Sequence, residues 1–154
     1  MNTKRTKLIP MLLLTAVAFA PFGAFAASND SAVGRWITID DKTHKPRTVV
    51  QISQEADGTL SGKIVELIDK TIPATCDKCK GDLKGAPMKG LRVLWGLHPD
   101  GKDKWSDGNA MDPENGKTYG GTATLVDGGK KLHLRGYIKG FSFLGRTQTW
   151  ERQE

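Results

Sequence analysis

Apolar residues fall on every second position in short runs, and each run ends in residues that turn a chain. This alternation constrains the fold more than any other feature of the sequence. Thr48, Val50 and Ile52 alternate, as do Leu60, Gly62 and Ile64, then Tyr119, Gly121, Ala123 and Leu125, then Leu132, Leu134, Gly136 and Ile138. Past the N-terminal leader, no long window carries apolar residues at the helical period. Asp57-Gly58 is the sharpest hairpin signal, because Asp-Gly accepts the positive φ that a two-residue turn demands. Asp112-Pro113-Glu114-Asn115-Gly116 and Asp127-Gly128-Gly129 mark two further turns. After Ile64 the apolar set moves to Val65 and Leu67, on the opposite parity, which predicts a bulge or bend of the kind closed sheets need.

Extended segments are expected over 33–39, 48–53, 59–68, 91–97, 104–111, 119–125, 132–138 and 146–152. About eight short strands joined mainly by tight turns predict an all-β fold, a single small antiparallel up-and-down β-barrel. Closure removes the sheet edges that would otherwise leave backbone groups and apolar faces exposed. An immunoglobulin-like sandwich is the alternative, but it carries its cysteines on two facing strands, whereas both cysteines here share one loop. That loop, residues 69–89, holds two prolines, two glycines and five lysines and interrupts the meander. A second loop is expected over 140–145, where Phe141, Phe143 and Leu144 form an apolar cluster between glycines.

The chain opens with Lys4, Arg5 and Lys7, an apolar stretch from Leu8 to Phe25 broken by two prolines, and then Ala24-Phe25-Ala26. This order is that of a cleavable signal peptide over residues 1–26. The uninterrupted apolar run is shorter than the ~20 residues a membrane-spanning helix needs. No cysteine stands at the cleavage position, so the expected product is a periplasmic protein that is not a lipoprotein and has no membrane span after cleavage. Residues 27–154 then form a single domain, 128 residues of the 154. Removing the leader's three cations from the 23 Lys and Arg leaves 20 against 17 Asp and Glu. With charges of both signs alternating and no basic stripe, nucleic acid is excluded as an expected partner.

Cys76-Asp77-Lys78-Cys79 is the most distinctive local pattern. In an oxidising compartment two nearby thiols become a disulfide, and so short a ring contributes about 2 kcal/mol. The expected role is a structural staple. A redox-active pair is the alternative, but that chemistry places the pair at the start of a helix beside a βαβ unit, which this sequence lacks. Metal binding would need further ligands, and His44, His98 and His133 stand at no ligand spacing. The acidic turns between Asp100 and Asp112 lack the fixed alternation of oxygen ligands in a calcium loop. No glycine-rich phosphate loop opens a helix. The sequence therefore assigns no catalytic residues, no metal and no cofactor.

Gly34-Arg35-Trp36 begins the first expected strand, while Arg146 and Trp150 lie on the last. In a closed barrel those strands pair, so an arginine of one can lie across an indole of the other, a cation-π contact of about 0.5–2 kcal/mol. These residues resemble the lipocalin and calycin barrels, whose first strand carries Gly-x-Trp and whose last supplies such an arginine. The resemblance implies that Gly34, Trp36, Arg146 and Trp150 close one end. Further matches cover nearly all of the mature chain: Cys76-x-x-Cys79 followed by Lys80-Gly81, Gly90-Leu91, Asp112-Pro113-x-x-Gly116-Lys117-x-Tyr119, Leu134-Arg135-Gly136-Tyr137 and Gly145-Arg146-Thr147-Gln148-Thr149-Trp150. Together they resemble the exported bacterial family catalogued as domain of unknown function 2147, which implies one small β domain and no established activity.

Two functional readings follow. A barrel of about eight strands encloses room for one small ligand, so the first is a protein binding a small apolar or lipid-like molecule. Gly62, Gly121, Ala123 and Gly136 would either leave interior room or let the strands coil around a filled core. The second is an envelope protein-interaction module acting through its loops, with Phe141, Phe143 and Leu144 as partner or ligand contacts.

Overall fold

A computed structural model of the chain describes residues 30–154, so the expected leader over 1–26 lies outside the described residues. Eight strands follow one another in chain order and close on themselves: β1 (Gly34–Ile39), β2 (Pro46–Gln54), β3 (Leu60–Leu67), β4 (Arg92–Pro99), β5 (Lys104–Asp112), β6 (Lys117–Val126), β7 (Lys131–Ile138) and β8 (Phe141–Arg152). Each pairs antiparallel with the next, and β1 returns to β8 through Trp36↔Arg152 and Ile37↔Glu151. The expected up-and-down barrel is present, and closure rules out the sandwich. Among the described residues no helix is long and apolar enough to cross a membrane.

The alternating positions turn inward as the pattern requires. Val50 and Ile52 on β2, Leu60 and Ile64 on β3, Ala123 and Leu125 on β6, and Leu132 and Leu134 on β7 are all buried in one core. The parity change after Ile64 is a bulge: Val50 pairs with Ile64, but Val49 pairs with Glu66, leaving Val65 as the extra residue. Further irregularities were not foreseen, and two of them bear on the core. Leu60 and Gly62 pair with Leu97 and Leu94, so β4 carries an additional residue, and Gly96 there has φ +64°. Trp105 and Gly108 pair with Ala123 and Gly121, and Asp107 there has φ +55°. Both extra residues let inward side chains three positions apart, such as Leu94 and Leu97, face the same core.

Strand direction sorts the connections between two ends. One end gathers the N-terminal approach at Ser31–Val33 and the turns after β2, β4 and β6. The opposite end gathers the β1–β2 turn, the long 68–91 connection, the β5–β6 turn and the β7–β8 tip. The long connection is more ordered than its composition suggests. It folds back on itself through Cys76 N to Ala86 O and Met88 N to Ala74 O, with a short 3-10 turn at Gly81–Leu83. It also buries Cys76, Cys79, Met88 and Leu91 against the barrel. The expected 140–145 loop is instead the start of β8, which begins at Phe141.

Candidate functional site: one closed end and one open cup

At the first end the barrel is filled. Trp36 is fully buried in the core cluster that also holds Ile52, Leu60, Leu97 and Leu132, and its Nε1 donates to Ala32 O at 2.8 Å. The Arg152 guanidinium lies 4.3 Å from the ring centroid. It also donates from Nε to Gly129 O at 2.6 Å, from Nη2 to Ser31 O at 2.6 Å and from Nη1 to Val33 O at 3.2 Å. One planar fork thus satisfies carbonyls of two separate segments while stacking on an indole. Burial lowers the Arg152 pKa from its ordinary value. Gly34, at φ +141°, makes room for this arrangement, since a Cβ there would stand 2.8 Å from Arg152 Nη1.

The closing arginine is therefore Arg152, and the assignment to Arg146 is corrected. Antiparallel pairing sets the start of the first strand beside the end of the last, so the partner of Trp36 must come from the C-terminal end of β8. Arg146 lies toward the other end, opposite Gly136 on β7. Trp150 is buried in the core beside its partner Leu132 and has no part in the Arg152 stack.

At the opposite end the interior is not filled. A cup of about 1130 Å³, counted up to its mouth, opens between the strand ends. Val50, Ile64, Leu94 and Leu134 form its apolar floor, with Thr38, Thr48, Gly136 and Tyr119 higher on the wall. The Thr38 and Thr48 hydroxyls satisfy each other at 2.8 Å. Of the four small residues, Gly136 lines the cup. Gly62 is closely packed, a Cβ there meeting Val50 Cγ1 at 3.1 Å and Leu94 Cδ1 at 3.2 Å. Gly121 lies against the Asn109 backbone, and Ala123 is buried. Glycine thus serves both roles, at different levels of the barrel.

A line of polar side chains descends the β8 wall from the rim. Arg146 Nη1 stands 3.4 Å from Asp41 Oδ2, and Gln148 Nε2 donates to the same oxygen at 3.3 Å. The Trp150 Nε1 in turn donates to Gln148 Oε1 at 3.4 Å. Two ion pairs reach across the mouth between strands well separated in the ring. Arg146 Nη2 meets Asp112 Oδ2 at 3.6 Å, and Arg47 Nη2 on β2 meets Glu114 Oε1 in the β5–β6 turn at 2.7 Å. Asp112 is held by Asn115 Nδ2, which also donates to the Tyr119 hydroxyl. Asp40 accepts from the backbone N–H groups of Lys42 and Thr43, the Thr43 hydroxyl and Arg47; these bonds, those from Thr43 foremost, hold its carboxyl well below the usual carboxylate range. Asp40, Asp41, Asp112 and Glu114 stand at the entrance with Lys42, Arg47, Lys78 and Arg146, so no single charge sign dominates the lining of the mouth.

The cysteine loop forms one lip of the mouth. Cys76 and Cys79 are joined, with both sulfurs buried. Cys79 packs on Met111, and the Lys78 carbonyl lies so close to Gly116 that a side chain there would collide with it. The pair braces the loop against the β5–β6 turn. Thiol exchange requires an accessible sulfur, and these are covered, which weighs against the redox alternative. His44 sits at φ +56° in the exposed β1–β2 turn, His98 and His133 are exposed on β4 and β7, and among the described residues no cluster of potential metal ligands forms.

Residues 34–152 match the family described as an uncharacterized protein conserved in bacteria, DUF2147. The chain belongs to that family. No curated protein matches the sequence. Among solved structures, the DUF2147 chain is similar to protein HP1028 from the human pathogen Helicobacter pylori, described as belonging to the lipocalin family, with a TM-score of 0.70. The two are 21% identical, and the match covers 80% of this chain and 84% of that one. At this identity the likeness shows the fold: a lipocalin-like eight-stranded barrel.

Proposed function

We propose that this DUF2147 protein is exported to the periplasm and carries one small, lipid-like molecule in its open cup. The observation that carries this reading is the difference in filling. One end of the barrel is packed and sealed, while the other keeps an apolar floor under an open, polar rim. Binding sites for small molecules occupy roughly 300–1,000 Å³, mostly apolar with a few placed polar groups; the cup, about 1130 Å³ with its mouth included, lies just above that range and has the same kind of lining. The floor suits an alkyl or ring portion, and the Arg146–Asp41–Gln148 line offers donors and acceptors to a polar head. Because the mouth carries charges of both signs, and its two arginines, Arg47 and Arg146, are paired with carboxylates, a zwitterionic or uncharged polar head suits the entrance better than a strongly charged one.

A thermal-stability series with fatty acids, lysophospholipids and phospholipids tests the reading. A ligand that binds only the folded state raises the melting temperature with concentration. Saturable stabilisation by one of these classes is expected, and no shift with any of them would overturn the lipid assignment.

A further inference from the structure

Four of the six exposed large apolar side chains among the described residues belong to one hairpin tip: Ile138 at 49%, Phe141 at 55%, Phe143 at 75% and Leu144 at 47% exposure. The β7–β8 ladder explains the exposure. Tyr137 pairs with Gly145, yet the next residue, Ile138, pairs with Phe141. Ser142, Phe143 and Leu144 therefore have no partner across the hairpin and are pushed out of the sheet, as extra residues in a strand are. The Phe141 and Phe143 rings meet edge to face with centroids 6.1 Å apart, forming one apolar knob.

The hairpin itself carries charge of one sign. Between Asp127 and Glu151 the sequence contains no acidic residue; Lys130 and Lys131 lie at the closed end, whereas Arg135, Lys139 and Arg146 lie toward the tip. Arg146 is matched by Asp41 and Asp112 across the rim. Arg135 and Lys139, the cations nearest the tip, reach only neutral oxygens: Arg135 Nη2 donates to Ser142 O at 3.0 Å, and Lys139 Nζ to Asn109 Oδ1 at 2.6 Å. Neither pairs with a carboxylate among the described residues.

An aromatic tip backed by unneutralised Lys and Arg is the arrangement that a bilayer surface receives best. Aromatic rings settle at the headgroup level, long cationic side chains keep their stems in apolar surroundings while their heads reach outward, and anionic headgroups attract them. We propose that this tip docks the protein on an anionic phospholipid surface, with Phe141 and Phe143 entering the headgroup boundary and Arg135 and Lys139 meeting phosphates. Ile138 and Leu144 also line the cup, so docking sets the cup's lip at the bilayer. Docking does not require that the cup hold a ligand, and each can fail without the other.

Flotation of the purified protein with phosphatidylglycerol/phosphatidylethanolamine vesicles, against pure phosphatidylcholine vesicles, tests it. Binding is expected with the anionic vesicles and should fade with added salt, as the Debye length contracts to ~3 Å at 1 M. The combined change Phe141→Ser, Phe143→Ser and Leu144→Ser should weaken binding more than about tenfold by removing the inserted apolar area, with a nearly unchanged melting curve because the two rings pack on each other and all three side chains are about half exposed or more. Lys139→Glu should weaken it several-fold. In an independent reading, Phe143→Trp should add a blue-shifted emission quenched by brominated lipid. No flotation of the unaltered protein, equal flotation with phosphatidylcholine, or flotation untouched by the triple change would overturn the proposal. A tip-dependent complex with a soluble protein in the absence of vesicle binding would overturn it as well.

Discussion

The two ends of the barrel are built from the same strands under the same alternation, and they end differently because successive inward positions differ in size and polarity. Reading β8 from the mouth downward, the inward residues are Arg146, Gln148, Trp150 and Arg152; on β7 they are Gly136, Leu134 and Leu132; on β2, Thr48, Val50 and Ile52; on β1, Thr38 and Trp36. Small or polar side chains sit at the mouth and large apolar ones below. The exception, Arg152, is the one charged residue among these at the closed end, and its desolvation is offset by an indole and three carbonyls. An interior can thus be half core and half container without any change in backbone architecture, and the depth of the cup is written in side-chain volume.

The largest effect is expected at the closed end. Trp36→Ala should cost about 3–5 kcal/mol of stability, because a fully buried indole leaves a cavity that the surrounding strands only partly refill; urea unfolding measures it. A smaller value near 1 kcal/mol would mean that the closed end is not the stabilising core. Next comes the contrast between two arginines of one strand. Arg152→Ala should cost about 2–3 kcal/mol through three unpaired carbonyls and the lost stack, whereas Arg146→Ala, with loose and exposed ion pairs, should cost less than about 0.5 kcal/mol. Equal costs would erase the distinction between the ends.

Glycines sharpen the comparison at smaller scale. Gly62→Ala forces a methyl against Val50 and Leu94 and should cost about 1 kcal/mol. Gly136→Ala, whose Cβ would first meet Tyr119 Cβ at 3.7 Å, should be neutral within about 0.5 kcal/mol. Gly136→Leu should leave the fold intact while occupying the cup, and loss of ligand-induced stabilisation in that variant is the expected readout.

The smallest effect is acid sensitivity. Asp40 and Asp69, at the open end, and Asp57, at the closed end, accept hydrogen bonds from a threonine two or three residues onward, and all three carboxyls are lowered from 3.8 by those bonds. Their folded-state pKa lies below the unfolded one, so the native state binds fewer protons between the two values. Their contribution is therefore present above about pH 4 and is lost as the pH falls through the lowered values. Amide exchange should quicken in acid at the β1–β2 turn and after β3 sooner than in the barrel core; exchange independent of pH, once corrected for the intrinsic rate, would contradict this.

Most of the barrel was legible because alternation and turn chemistry are local. Asp57-Gly58 and Asn115-Gly116 fall at hairpins, and the parity change after Ile64 marked the bulge at Val65. What local pattern does not encode is register between distant strands. Leu94 and Leu97 are out of phase on paper and share one core only because Gly96 adopts a positive φ. Arg146 and Arg152 are both arginines of the last strand, and only the antiparallel direction, traced around the ring, distinguishes them. The composition of 69–89 reads as a long loop that interrupts the meander, yet Cys76, Cys79 and Met88 within it are buried against the barrel. The cup itself was legible only as two alternatives for four small residues, since room depends on which neighbours face each glycine.

The most direct test is native mass spectrometry of the protein purified from its own host, beside its Gly136→Leu variant, followed by denaturing extraction. One discrete extra mass, released on denaturation and absent from the variant, is the expected result. Protein that carries no bound molecule in either form, and gains none from the host's lipid extract, would contradict the cup as a binding site.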